Sequence, residues 1–166
     1  MPNRAVQEQL EAIEAGWQEL RAAIERLGPQ GLQQRTPSGW SVREMIAHIA
    51  FWEETVEPVI DGMYRGREVV DWYGGDDLGL GPDDPWPVSA VHNAREAAWA
   101  RAHTDDEVLA RWERAHRRMV EVVATITDDE AEREEYLVKV GAATVLHYAE
   151  HASELDEPAS AEQWAT

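Results

Sequence analysis

Apolar residues recur along this chain at alternating steps of four and three, and that period leaves few folds open. Val6, Leu10, Ile13, Trp17, Leu20, Ile24 and Leu27 place one stripe on a first helix. Gly28-Pro29 ends it, because neither residue favours continuing a helix. A second helix has a written start: Ser41 and Glu44 form an S-x-x-E capping box, and Trp40 just outside can staple onto Met45. Its apolar face runs through Val42, Met45, Ile46, Ile49, Trp52 and Val56 until Pro58 disturbs the tail. An alanine-rich third helix is expected over 88–103. Thr104 with Glu107 opens a fourth, carried by Val108, Trp112, Ala115, Met119, Val122 and Ile126. Thr127 with Glu130 signals one more start, and a last helix should hold Ala142 to Leu155. No segment alternates with period two, so no sheet is expected. The expectation is an all-α, up-and-down four-helix bundle over residues 1–155, with a polar tail over 156–166.

One connection departs from this economy. Residues 66–88, GREVVDWYGGDDLGLGPDDPWPV, hold five glycines and three prolines, which interrupt any regular element. Trp72, Tyr73 and Trp86 suit a packed, lid-like loop better than a disordered one. The competing account is a loop whose aromatics cover one end of the core.

Charge and composition narrow the function. A net charge of −18, from 33 acidic against 15 basic residues, argues against nucleic acid and against an anionic membrane surface. The chain has no cysteine, which removes disulfides, thiolate metal sites and a cysteine nucleophile. Nothing resembles a signal peptide or a membrane span, so a soluble cytoplasmic domain is expected. Arg111, Arg114, Arg117 and Arg118 could attract an anionic cofactor. The spacings Glu107 to Arg111 and Glu113 to Arg117 read better as a solvated, ion-paired helix face.

The chemistry rests on histidines. In VLHYAEHASEL, residues 145–155, His147 and His151 stand four apart and so share one helix face. A third ligand must come from another helix, and His48, set among Ile46, Ala47, Ile49 and Ala50, is the best candidate. Three ordinary buried histidines are the competing account. H-Y-A-E-H also fits an inverted metalloprotease motif, but Glu150 lies about 100° round the helix from His151 and only fifteen residues follow, so that reading is rejected. Glu44 and Trp52, one turn either side of His48, face the same way. Glu44 is a candidate acceptor for the ring's second nitrogen, against its capping role, and Trp52 a candidate wall, against a core role. Asn93 and His92, at the start of the third helix, are candidates for the pocket, although His92 also reads as surface. His103 suits a helix end, and His116, between arginines, reads as solvated.

GWSVREMIAHIAFWEE, residues 39–54, followed about a hundred residues later by HYAEH, resembles the DinB-like superfamily. That group includes the amino-terminal domain of mycothiol-dependent maleylpyruvate isomerase and the bacillithiol transferases. The resemblance implies a four-helix bundle with a divalent metal on three histidines, which fall here on His48, His147 and His151. It implies zinc, nickel or iron, a low-molecular-weight thiol and a homodimer. Three imidazoles leave a coordination position open for water or substrate, as in catalytic metal sites. The leading expectation is a metal-dependent enzyme transferring a small thiol to an electrophile, or hydrolysing a related conjugate. The alternative is a non-catalytic, stress-protective module that sequesters a small molecule.

Overall fold

The computed structural model describes residues 3–69 and 89–156. Helix α1 spans Arg4–Arg26, and the Asn3 side chain caps it by accepting the Ala5 N–H at 2.8 Å. Gly28 terminates it at φ 78°, a left-handed conformation that glycine adopts without strain. A short 3₁₀ turn at Gly31–Gln33 leads to α2, Val42–Glu54, which opens on the expected Ser41/Glu44 capping box. Pro58 does disturb the chain beyond α2. Pro58–Tyr64 winds as a π-helical segment, closed by the Arg65 N–H on the Ile60 carbonyl at 3.1 Å.

Helices α3 (Ser89–Ala102) and α4 (Asp105–Val123) come next, the latter opening on the Thr104/Glu107 capping box. Thr127 and Glu130 cap only a single turn, α5, Asp128–Ala131. The last helix expected over Ala142–Leu155 is α7, Val145–Asp156, and a further helix, α6, Glu134–Ala143, precedes it. They break at Thr144 (φ −129°, ψ −92°), whose hydroxyl donates to the Val140 carbonyl at 2.6 Å. Side-chain competition of this kind is what weakens threonine inside helices.

Packing sorts these elements into a four-helix bundle: α2 lies on α4, α1 lies on α7 with α6 beside it, and α3 packs on the outer side of α2. Ile13, Leu20, Met45, Ile46, Ile49, Trp112 and Met119 fill the centre, each almost wholly buried. Each such side chain contributes on the order of 1.5–3 kcal/mol by leaving water. Among the described residues the one β-type contact is an isolated bridge, Arg35 to Ser41, and no helix is long and apolar enough to cross a membrane. The lid-like loop lies outside the described residues from position 70 onward, as does the tail beyond Asp156.

Two charge readings need correction. Arg111 is not solvated: it is buried between Glu54, at 2.7 and 2.9 Å, and Glu96, at 2.6 Å. His116, expected in solvent, is buried against Glu53 and Tyr148. In both cases the partners come from other helices, which local charge pattern does not encode.

Candidate metal centre

Helix α2 carries His48 on the face turned toward α7, and α7 carries His147 and His151 one turn apart. The break at Thr144 frees α7 to take its own direction after α6. The three rings meet edge to face, with centroids 4.7 Å (48–147), 4.7 Å (147–151) and 5.4 Å (48–151) apart. Their Nε2 atoms converge: His147 Nε2 lies 2.8 Å from that of His48 and 3.0 Å from that of His151. All three can offer one donor atom within 4.8 Å of the others.

Proton counting shows why this arrangement is unusual. His151 Nδ1 lies 3.2 Å from the Glu154 carboxylate, so Nδ1–H donates there and Nε2 presents a lone pair to the cluster. His147 Nε2 has either one proton or one lone pair, and so cannot satisfy both neighbours. Burial, then the charge of neighbouring groups, drives His48 down to about 3 and His147 down to about 2, so both are neutral near pH 7. Lone pairs of neutral imidazoles facing one another in a buried space repel. A divalent cation turns that repulsion into coordination. Two nitrogens each about 2.0–2.1 Å from one ion lie roughly 2.8–3.4 Å apart at octahedral or tetrahedral angles, the range in which the 48–147 and 147–151 spacings fall. Among the described residues Nδ1 of His48 and of His147 find no well-aligned hydrogen bond, with Asn93 beside the first and the Ala143 backbone beside the second.

The surroundings assign the other candidates. The Trp52 ring stands 6.2 Å from those of both His48 and His147, edge to face. Trp40, the expected staple, lies closer to His48, at 4.7 Å. Asn93 sits beside His48 and its amide opposes the fall in the imidazole pKa. Asn93 Oδ1 and His48 Nδ1 are each short of a full hydrogen bond, and a small adjustment would pair them. His92 is not surface: it is buried and stacked on Phe51 at 4.7 Å. Glu44 does not serve the cluster. Its carboxylate closes the capping box on the Ser41 N–H at 2.6 Å and pairs with Arg101 and Arg35. The acceptor that sequence reasoning missed is Glu154, held in turn by the Ser38 hydroxyl at 3.4 Å. Its signal was present, since a carboxylate three residues after a helical histidine shares its face. Glu150 is exposed and plays no part.

Comparison with known proteins agrees with this architecture. The sequence pattern of the DinB superfamily matches residues 12–154. Among solved structures, the crystal structure of colibactin self-resistance protein ClbS in complex with a dsDNA superposes with a TM-score of 0.68 at 15% identity. That match covers 91% of this chain and 93% of ClbS. No curated protein matches. The ClbS complex corrects one expectation. Net charge was taken to exclude nucleic acid, yet this fold is compatible with bound DNA. Net charge describes the far field, whereas phosphate contacts are local.

Proposed function

This chain belongs to the DinB superfamily, and on that premise we propose that it is a divalent-metal protein whose centre is His48, His147 and His151. We assign it the transfer of a small thiol to an electrophile, or the hydrolysis of a related conjugate. The observation that carries the reading is the convergence of three Nε2 atoms with too few protons to satisfy one another. The metal would supply Lewis acidity, lowering the pKa of a water or thiol at the open position. The chain's own residues do the rest. Glu154 fixes the His151 tautomer, Asn93 orients His48, and Trp40 and Trp52 exclude water from the ring edges. No serine or cysteine nucleophile is required. Small-thiol chemistry suits zinc, nickel or iron, and imidazole ligands accept each of them.

Metal analysis of the purified chain tests the centre directly: about one zinc, nickel or iron per chain is expected, and none after His147→Ala. Thiol-plus-electrophile assays with mycothiol, bacillithiol, glutathione or water then test the chemistry. A second reading, sequestration of a reactive molecule without turnover, has one observation in its favour: the fold neighbour is named a self-resistance protein. Metal binding with no turnover by any of these nucleophiles would favour it. DNA is a partner to be measured, by anisotropy of a labelled duplex at low salt.

A further inference from the structure

The two helices that carry the histidines are held by different neighbours. Helix α2 packs chiefly on α4 and α7 chiefly on α1, with far less contact between α2 and α7 themselves. A coordination site tolerates little error, since its donor atoms must keep their places to within about 0.5 Å. The relation between His48 and the α7 pair thus calls for a direct tie. The five residues that lead into α2, Thr36-Pro37-Ser38-Gly39-Trp40, reach both sides of the cluster.

This turn is tightly determined. Proline at its second position suits the bend, and Gly39 takes φ 93°, which other residues reach only with strain. The Thr36 carbonyl accepts the Gly39 N–H at 2.9 Å, and the Trp40 carbonyl accepts the Thr36 N–H at 2.8 Å. The frame delivers two side chains to the cluster. The Trp40 ring lies 4.7 Å from that of His48. The Ser38 hydroxyl lies 3.4 Å from Glu154 Oε2, the same oxygen that is 3.2 Å from His151 Nδ1. Proton counting favours that second tie. Thr36 Oγ1 is 2.8 Å from Ser38 Oγ and 3.2 Å from the Trp40 carbonyl, so two hydroxyl protons serve three contacts. The shortest contact needs one of them. The Trp40 carbonyl already has the Thr36 N–H, and a carboxylate is the stronger acceptor. The protons therefore run from Thr36 to Ser38 and from Ser38 to Glu154.

We propose that Ser38 is a positioning residue of the three-histidine site, holding Glu154, and through it the His151 ring, in register with His48. The proposal rests on the metal-centre reading above and adds to it a tie between the two ligand-bearing helices. Glu154 stands on α7 itself, three residues from His151, so it can orient the ring but cannot place α7 against α2. Ser38 can, because its backbone is fixed in the turn that opens α2. It acts on the metal only through Glu154.

Ser38 is exposed, so Ser38→Ala removes the hydroxyl without opening a cavity, and the fold should survive. Calorimetric titration of the full chain with Zn²⁺ should then give an affinity lower by about three- to tenfold, less than the loss of Glu154 itself. Ser38→Thr keeps the hydroxyl and should bind Zn²⁺ as the wild type does. In a Glu154→Ala background, Ser38→Ala should cost nothing further, because a residue that acts through another loses its effect with it. That non-additivity and the rescue by threonine separate positioning from a general effect on the fold. Unchanged affinity in Ser38→Ala, a loss that Ser38→Thr fails to restore, or the same loss again in the Glu154→Ala background overturns the proposal alone. Failure of Zn²⁺ to bind the wild type overturns the metal centre, and the proposal with it.

Discussion

Two buried histidine clusters share helices α2 and α7, and they solve the same problem in opposite ways. His116 is surrounded by acceptors and a hydroxyl: Glu53 Oε1 at 3.2 Å, the Tyr148 hydroxyl at 3.4 Å and Glu14 at 3.4 Å. Tyr148 in turn donates to Glu53, and Trp17 stacks on the His116 ring at 4.3 Å. Every imidazole nitrogen there has a partner within the protein. His48 and His147 instead face other imidazoles, with a carboxylate supplied only behind His151. His147 and Tyr148 are neighbours in sequence, and the 100° step of the helix sends one to each cluster. A buried histidine given an acid is a structural element. Three given one another have the donor set that a cation could take.

The most severe way to break this contrast is His147→Ala. Losing a partner that merely orients a ligand costs about 10–100-fold in metal affinity, so losing a ligand should cost on the order of a thousandfold or more. Calorimetric titration with Zn²⁺ reads this, and His116→Phe should leave the same affinity unchanged. The converse is Glu53→Ala, which strands the Tyr148 hydroxyl and His116 without their acceptor. It should cost about 3 kcal/mol of stability in urea unfolding while metal binding survives. If the two variants exchanged these effects, the assignment of roles to the clusters would be wrong.

How much of this could be read from the chain depends on the range of the forces involved. Capping boxes act within four residues, so Ser41/Glu44, Thr104/Glu107 and Thr127/Glu130 all open helical turns as expected. The i,i+4 pair His147/His151 is equally local, and family resemblance supplied its meeting with His48. The fates of Arg111 and His116 were illegible because Glu54, Glu96 and Glu53 reach them across the bundle. The break at Thr144 carries no proline, and Ala142-Ala143 before it and Leu146 beyond it favour a helix. Glu154 obeys the same local rule, three residues after His151, whereas Glu44 is spent on its own cap and on Arg101 and Arg35.

Glu154→Gln sharpens the contrast more gently. It keeps shape and removes the charge that fixes the His151 tautomer, so Zn²⁺ affinity should fall about 10–100-fold with stability little changed. A loss below threefold would mean that Glu154 is a surface carboxylate with no hold on the ring.

The smallest effect is in the pH dependence of the metal-free protein, where the clusters pull in opposite directions. His48 and His147 have folded pKa values, about 3 and about 2, below their ordinary 6.5. The unfolded chain therefore binds more protons there, and their contribution is lost as pH falls below 6.5. Burial raises Glu53 from 4.5 to about 7. In that case the folded chain binds more protons, and its contribution is lost as pH rises from 4.5 toward 7. Each group changes stability by at most about 1.4 kcal/mol per pH unit, and between 4.5 and 6.5 Glu53 offsets part of what the two histidines gain. Glu53→Gln removes the opposing slope and keeps an acceptor for Tyr148. Its stability, followed by urea unfolding at half-unit pH steps, should therefore climb more steeply over that window than the wild type's. Parallel curves would show that Glu53 is already ionised in the fold.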